Sequence, residues 1–431
     1  QDRHTGTQAP LFSDGRMYVQ GYRAFDKTQL IMCFDAYNGI PYWEREVPGA
    51  QRLTAGANCG NLAASTAGLF VATGAECLHL DPLTGAIRKN YKVPPRGDKP
   101  AATWAFTAVI GDTLVGSASP THAFSDELFA YDLRSGTLKW RHNAPVIRNA
   151  TVAVSGGRVF FAEHRGQVKA PKVFTYEENL LRSVEERRGG KKAKPDKPKA
   201  KAVSAKDEEK GEGPADGAET PPPNAPADYL RTAVALDLAT GKELWAAEVN
   251  LADCGNWAGN LCAAVKGDVL VYFGTYSAYG RGPGNEDKRR VLALSAVDGS
   301  VLWNKSFGNY VRPLLVGDRL ISRPNAVYLK TGEPVMRKLK NGKQEPWSLG
   351  RLGACGQMTA SANMLFYRLG MTTMVDIDSG RSMGFLGIRP GCLINIIPAG
   401  GLAVQVEASA GCVCPHAALQ ATVVFAPADT Y

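Results

Sequence analysis

The chain has 431 residues, of which 44% are apolar, 9% aromatic and 21% charged. This is a globular composition with enough apolar area for a large core. Lys and Arg number 50 against 41 Asp and Glu, a net charge of +9. No apolar run reaches the roughly 18 residues of a membrane-crossing helix, and no Arg/Lys stripe interleaved with aromatics marks a nucleic-acid surface, so a membrane span and a nucleic-acid partner are both excluded.

In chain order, the predicted elements alternate two kinds of strand pair. A pair over 11–22 precedes a hairpin over 33–43. The succession returns at 62–74 and 78–89, 107–118 and 129–140, 151–163 and 234–245, 263–274 and 292–303, 313–323 and 326–336, and 360–370 and 373–383. Apolar and polar residues alternate through these segments, as half-buried strands require. The hairpins share Asp-x-x-[Thr/Ser/Asn]-Gly and then a short run closing on Trp, clearest in VALDLATGKELW (234–245) and weakest at 326–336 and 373–383.

The turn glycines are Gly39, Gly85, Gly136, Gly241, Gly299, Gly332 and Gly380, spaced by 46, 51, 105, 58, 33 and 48 residues. Glycine takes the positive φ of a tight turn, and the Asp or Ser side chain caps the turn backbone. Trp43, Trp140, Trp245 and Trp303 each stand four residues after a glycine, a recurrence expected of wedges between neighbouring sheets. Strands continue at 394–408 and 421–427, three strands of one further unit that an N-terminal strand would complete. Four short strands in each unit of roughly 40–50 residues is the pattern of a β-propeller. The expected fold is all-β: one domain over 1–431, an eight-bladed propeller of four-stranded blades, with seven blades as the alternative.

Residues 185–228 break the pattern. Over 187–206 they carry nine Lys/Arg and one acid, and over 207–228 seven acids and one Lys. With no aromatic and almost no large aliphatic side chain, the segment buries too little to offset the entropy of ordering. A disordered charged insert is expected between the second and third strands of its blade, acting as a solvated loop or as a tether for an anionic partner. Gln1 is preceded by neither Met nor a basic-then-apolar leader, so the expectation is a processed chain or a fragment of a longer one.

Nine cysteines, with no CxxC pair, suit an exported protein. Cys59, Cys254, Cys355 and Cys392 all stand just before a first strand, beside Gly, so their thiols are expected on one face of the ring. Three readings compete. Local disulfides would join Cys59 to Cys77, Cys254 to Cys262, and Cys392 to Cys412 or Cys414. Packed thiols beside the glycine turns are a second reading. The third is a soft-metal or redox site drawn from Cys59, Cys254, Cys355, Cys392, Cys412, Cys414 and His416. Asn61, Asn256 and Gln357 follow Cys-Gly and are expected to cap the turn or line a polar pocket. Glu163-His164 is a candidate acid–base pair at a strand end.

The Asp-x-x-Thr-Gly-x-x-x-Trp hairpin resembles the pyrroloquinoline-quinone (PQQ) type repeat of quinoprotein alcohol dehydrogenases and of the BamB lipoprotein of the bacterial outer-membrane assembly machinery. The region 389–414 is similar to PQQ-like propellers from the envelope of planctomycete-type bacteria. The resemblance covers roughly residues 10–427 apart from the insert. It implies a non-catalytic scaffold in the periplasm or cell envelope, binding another envelope protein or a small ligand on the channel face and holding no cofactor. The alternatives are a PQQ- and calcium-dependent oxidoreductase recruiting acids such as Asp253 or Glu163, or a cysteine-based metal or redox site. The dehydrogenases' adjacent-cysteine disulfide has no counterpart here, and no catalytic residue is carried over.

Overall fold

The computed structural model describes residues 10–23, 26, 28–50, 60–99, 101–119, 124–165, 230–251, 254, 261–274, 290–307, 312–322, 325–338, 341–349, 358–369, 371–385, 396–405 and 423–425. Among them the secondary structure is strand, apart from short 3-10 turns at Asn149–Thr151 and at Cys254. The insert lies outside the described residues.

Antiparallel strands follow one another in chain order. The first sheet holds β1 (Leu11–Ser13), β2 (Arg16–Tyr22), β3 (Gln29–Asp35) and β4 (Pro41–Glu46). The second holds β5 (Leu62–Ser65), β6 (Gly68–Thr73), β7 (Glu76–Leu80) and β8 (Ile87–Lys92). Then come β9 (Thr103–Ile110), β10 (Thr113–Ser119), β11 (Phe124–Asp132) and β12 (Leu138–Arg148), followed by β13 (Ala153–Ser155), β14 (Arg158–His164), β15 (Thr232–Asp237) and β16 (Glu243–Glu248). These two four-strand units are joined where β12 pairs with β14. Next are β17 (Leu261–Lys266), β18 (Val269–Gly274), β19 (Arg290–Ser295) and β20 (Val301–Ser306). A three-stranded sheet of β21 (Leu314–Val316), β22 (Arg319–Ile321) and β23 (Ala326–Tyr328) precedes a two-stranded ribbon of β24 (Met336–Lys338) and β25 (Gln344–Pro346). The chain closes with β26 (Thr359–Ala360), β27 (Met364–Leu369), β28 (Met371–Asp376) and β29 (Ser382–Phe385), then β30 (Ile396–Ala399), β31 (Leu402–Gln405) and β32 (Val423–Phe425).

The core is divided into layers between successive sheets. Alternation along a strand sends neighbouring side chains to opposite faces. Phe70 therefore packs toward Trp104 and Phe129 of the third unit, while Val71 packs toward Ile31 and Cys33 of the first. Likewise Phe161 faces Val115 and Leu128, and Phe160 faces Leu270 and Tyr272. The last layer joins the two ends of the chain, with Leu402 and Val404 of β31 packing on Met17, Val19, Leu30 and Met32 of the first sheet. First strands β1 and β5, β5 and β9, β17 and β21, β21 and β26, and β26 and β30 lie against one another in turn.

The recurrent hairpin turn is built as its residues dictate. Asp35, Asp81, Asp132, Asp237 and Asp376 each accept the backbone N–H three residues on, at 2.7–3.0 Å. The glycine that follows holds a φ near +70°, for example +68° at Gly85 and +69° at Gly241.

Candidate functional site

The junction of the third and fourth units gathers the largest group of buried polar side chains among the described residues. Here β12 runs 11 residues, and its end pairs with the end of β14, Val146 opposite His164 and Ile147 opposite Glu163. The end of β10 and the start of β11 reach the same edge, Ala118 opposite Glu127.

Charged residues take inward positions in these otherwise apolar strands. Glu127 is fully buried and accepts from Arg141 Nε on β12. Its other oxygen lies 3.8 Å from Arg96 Nη1, while Arg96 grips both oxygens of Asp126 at 2.9 and 2.7 Å. Glu163, also buried, lies 2.7 Å from His142 Nε2 and accepts from Arg165 Nε. Arg165 extends to Glu243 on the outer strand β16. That contact holds the Glu243 carboxyl below the usual carboxylate range and raises the Arg165 guanidinium further. The hydrogen bond from Arg141 to Glu127 raises the Arg141 guanidinium in the same way.

Beside these pairs, Asn149 Oδ1 accepts from Ser117 and Ser125 hydroxyls at 3.0 and 2.7 Å. Thr151 donates to the Arg148 carbonyl at 2.7 Å and accepts from the Ala162 N–H at 2.9 Å. The buried Arg148 guanidinium stands 5.1 Å over the Phe124 ring, a favourable cation–π placement.

Chemically, each buried carboxylate is already engaged by an arginine, Glu127 by Arg141 and Glu163 by Arg165. A donor set of this kind repels a divalent metal rather than holding one, since calcium sites are built from convergent oxygen ligands. Glu127 and Glu163 therefore do not fit a calcium-held quinone, and no three-residue His/Cys/Asp/Glu grouping suited to a metal occurs among the described residues. The arrangement ties strands together at the root of the insert, because Arg165 is the last described residue before it and Glu163 pairs with Thr232 just after it.

The structure redistributes the residues picked from sequence. Glu163 and His164 are adjacent on β14 and so point to opposite faces; the partners of Glu163 are instead His142 and Arg165. Cys254 and Cys262 do not bridge, and both are buried thiols. The reason is again alternation: Cys254 packs with Leu261 and Ala263 on one face of β17, whereas Cys262 points to the other, among Val271 and Phe273. Cys77 is a buried thiol on β7. Cys59, Cys355, Cys392, Cys412, Cys414 and His416, with Asp253, Asn256 and Gln357, lie outside the described residues. Asn61 caps backbone, donating to the Ala50 carbonyl at 2.6 Å.

Sequence reasoning missed Glu127, Arg141, His142 and Arg165. The available signal was the acid at an inward position of an apolar strand, as in β11 (FSDELFAYD).

The wedges also have a geometry. Trp43, Trp140, Trp245 and Trp303 each lie against the turn glycine of the next unit: Gly85, Gly241, Gly299 and Gly332. Each indole N–H donates to the carbonyl just after that unit's first turn residue, on Pro82, Leu238, Ala296 and Leu329, at 2.7–3.2 Å. Trp347, which the spacing rule did not reveal, does the same to Ile377 at 2.7 Å.

Comparison with known proteins agrees with this architecture. A family model described as outer membrane protein assembly factor BamB matches residues 3–171 and 231–384. The solved BamB from Moraxella catarrhalis is similar over 94% of this chain and 92% of its own, at 12% identity and a TM-score of 0.51. The computationally designed Ika8 protein is similar over 94% and 93%, at 10% identity and a TM-score of 0.50. Quinohemoprotein alcohol dehydrogenase from Comamonas testosteroni covers 95% of this chain with 66% of its own, at 13% identity and a TM-score of only 0.42. No curated protein matches the sequence. At such identities the likeness shows a shared propeller fold and nothing about chemistry.

Proposed function

Because the chain belongs to the family of the outer membrane protein assembly factor BamB, we propose that it is a non-catalytic, eight-bladed propeller that binds other proteins of the bacterial cell envelope. The blade number is supported by the succession of first strands and by the packing of β31 on the first sheet, which leaves room for eight units around the ring. In this reading the chain is exported to the periplasm or envelope, needs no PQQ, and uses the insert as an arm for its partner. No helix among the described residues is long and apolar enough to cross a membrane.

The observation that carries the proposal is the state of the buried acids. Glu127 and Glu163 are engaged by Arg141, His142 and Arg165, a structural use of charge that supports a scaffold rather than a catalytic role. Buried pairs of this kind fix geometry more than they stabilise.

The test is capture. Photo-crosslinking residues placed along the insert and on exposed outer-strand positions such as Tyr42, Leu244 and Leu302 are expected to trap one defined envelope protein from intact cells. Turnover of an alcohol by the purified chain in the presence of PQQ and calcium, with no protein trapped, would overturn the reading.

A further inference from the structure

At the opposite end of the sheets from the insert's root, β21 has three residues and β26 two, whereas β17 beside them has six. Beside these short strands a solvent-open cavity of about 530 Å³ lies between the fifth, sixth and seventh sheets, lined chiefly by Lys266, Leu314, Leu315, Val316, Ala360 and Ser361. That size lies within the roughly 300–1,000 Å³ typical of small-molecule sites.

Its lining is not a by-product of the repeat. The last residues of the other first strands are Ser13, Ser65, Ile110, Ser155, Val316, Ala360 and Ala399. Only the fifth first strand ends on a cation, Lys266, and this side chain has no ion pair among the described residues. The turn carboxylates Asp268 and Asp318 do not line the cavity, and Asp318 faces Arg319 at 3.7 Å. An ammonium with no ion pair among the described residues, beside an aliphatic wall, matches one ligand chemistry: an acid group on an apolar body.

We propose that this cavity binds an organic carboxylate, with the acid on Lys266 and the apolar body against Leu314, Leu315 and Val316. The site is independent of the envelope-scaffold reading and stands or falls without it.

Calorimetric titration of the whole chain with octanoate is expected to show one site whose affinity falls with rising salt, and no binding of octanol at the same concentrations. Lys266→Gln should weaken octanoate at least tenfold, whereas Lys266→Arg should hold it within about threefold. Lys266 is exposed, so neither change threatens folding. Ala362→Trp, which fills the cavity from an exposed position, should abolish binding with an unchanged melting curve. A pentapeptide ending in leucine, with a free or an amidated C-terminus, separates the two sources of such a group. Stronger binding of octanoate assigns a free acid, and stronger binding of the free peptide assigns a chain terminus. Octanoate affinity unchanged by Lys266→Gln, equal binding of octanol, or no binding at all would overturn the proposal.

Discussion

A methyl group built on Gly85 would stand 2.6 Å from the Trp43 ring, at a φ of +68° that a side chain disfavours. Both effects act in the same direction, so Gly85→Ala should destabilise by about 2–4 kcal/mol, the sum of backbone strain and overpacking. Trp303→Ala, which removes a wedge and the hydrogen bond to Leu329, should cost about 3–5 kcal/mol; urea unfolding of the two variants checks both. The turn aspartates carry a separate, pH-dependent contribution. The Thr84 backbone N–H holds the Asp81 carboxyl down to about 2, and the Ser300 N–H does the same for Asp298. A carboxyl depressed on folding stabilises fully above its unfolded value, near 4, and loses that contribution as pH falls through the folded value. The urea midpoint should therefore decline between about pH 5 and pH 2, and Asp81→Asn with Asp298→Asn should flatten the decline. A midpoint profile identical to the parent's would show that these caps contribute nothing.

Three of the seven hairpins lack the tryptophan four residues after the glycine, and the second shows what can take its place. In the hairpin that ends the second sheet, the position four residues after the glycine is Lys89, not Trp. Its side chain occupies the place against Gly136 that an indole takes elsewhere, reaching the Ser135 carbonyl at 3.4 Å and lying 5.3 Å from the Tyr91 ring centre. The seam between β8 and the third unit is thus closed by a long flexible cation over Tyr91, whose ring lies 5.3 Å from that of Tyr131. Lys89→Trp should raise unfolding free energy by about 1 kcal/mol, the usual worth of a well-placed aromatic contact. A drop instead would mean that the tyrosines need the lysine stem as cover. The same hairpins explain what was legible beforehand. Asp, Gly and Trp report local geometry at fixed spacing, so turns, strand order and wedge positions follow from sequence. Trp347 escaped because β24 and β25 lengthen its hairpin and break the spacing. Glu127, Arg141 and His142 escaped because their pairing runs across strands 14–21 residues apart, a register no periodicity encodes. The Cys254–Cys262 expectation failed for the converse reason: closeness in sequence says nothing about the core layer in which each thiol packs, and the two lie in different ones.

At the scale of the molecule, the ring tolerates a long excursion because its two ends meet. Glu163 and Thr232 are directly opposed on β14 and β15, so the 64 residues from 166 to 229 leave and re-enter at one hairpin. Closure entropy grows only with the logarithm of loop length, as (3/2)RT ln n. Replacing 166–229 by a six-residue Gly-Ser linker should accordingly leave stability unchanged or raise it by up to about 2 kcal/mol. The polar junction should survive the replacement, because Arg165 still bridges Glu163 and Glu243 outside the excised stretch. Thermal unfolding of the shortened chain separates two roles for the segment. A melting temperature held or raised, together with loss of any protein crosslink, assigns the segment to binding alone. A loss of more than about 2 kcal/mol exceeds anything loop length can produce; it would mean that the segment packs on the ring and belongs to the fold.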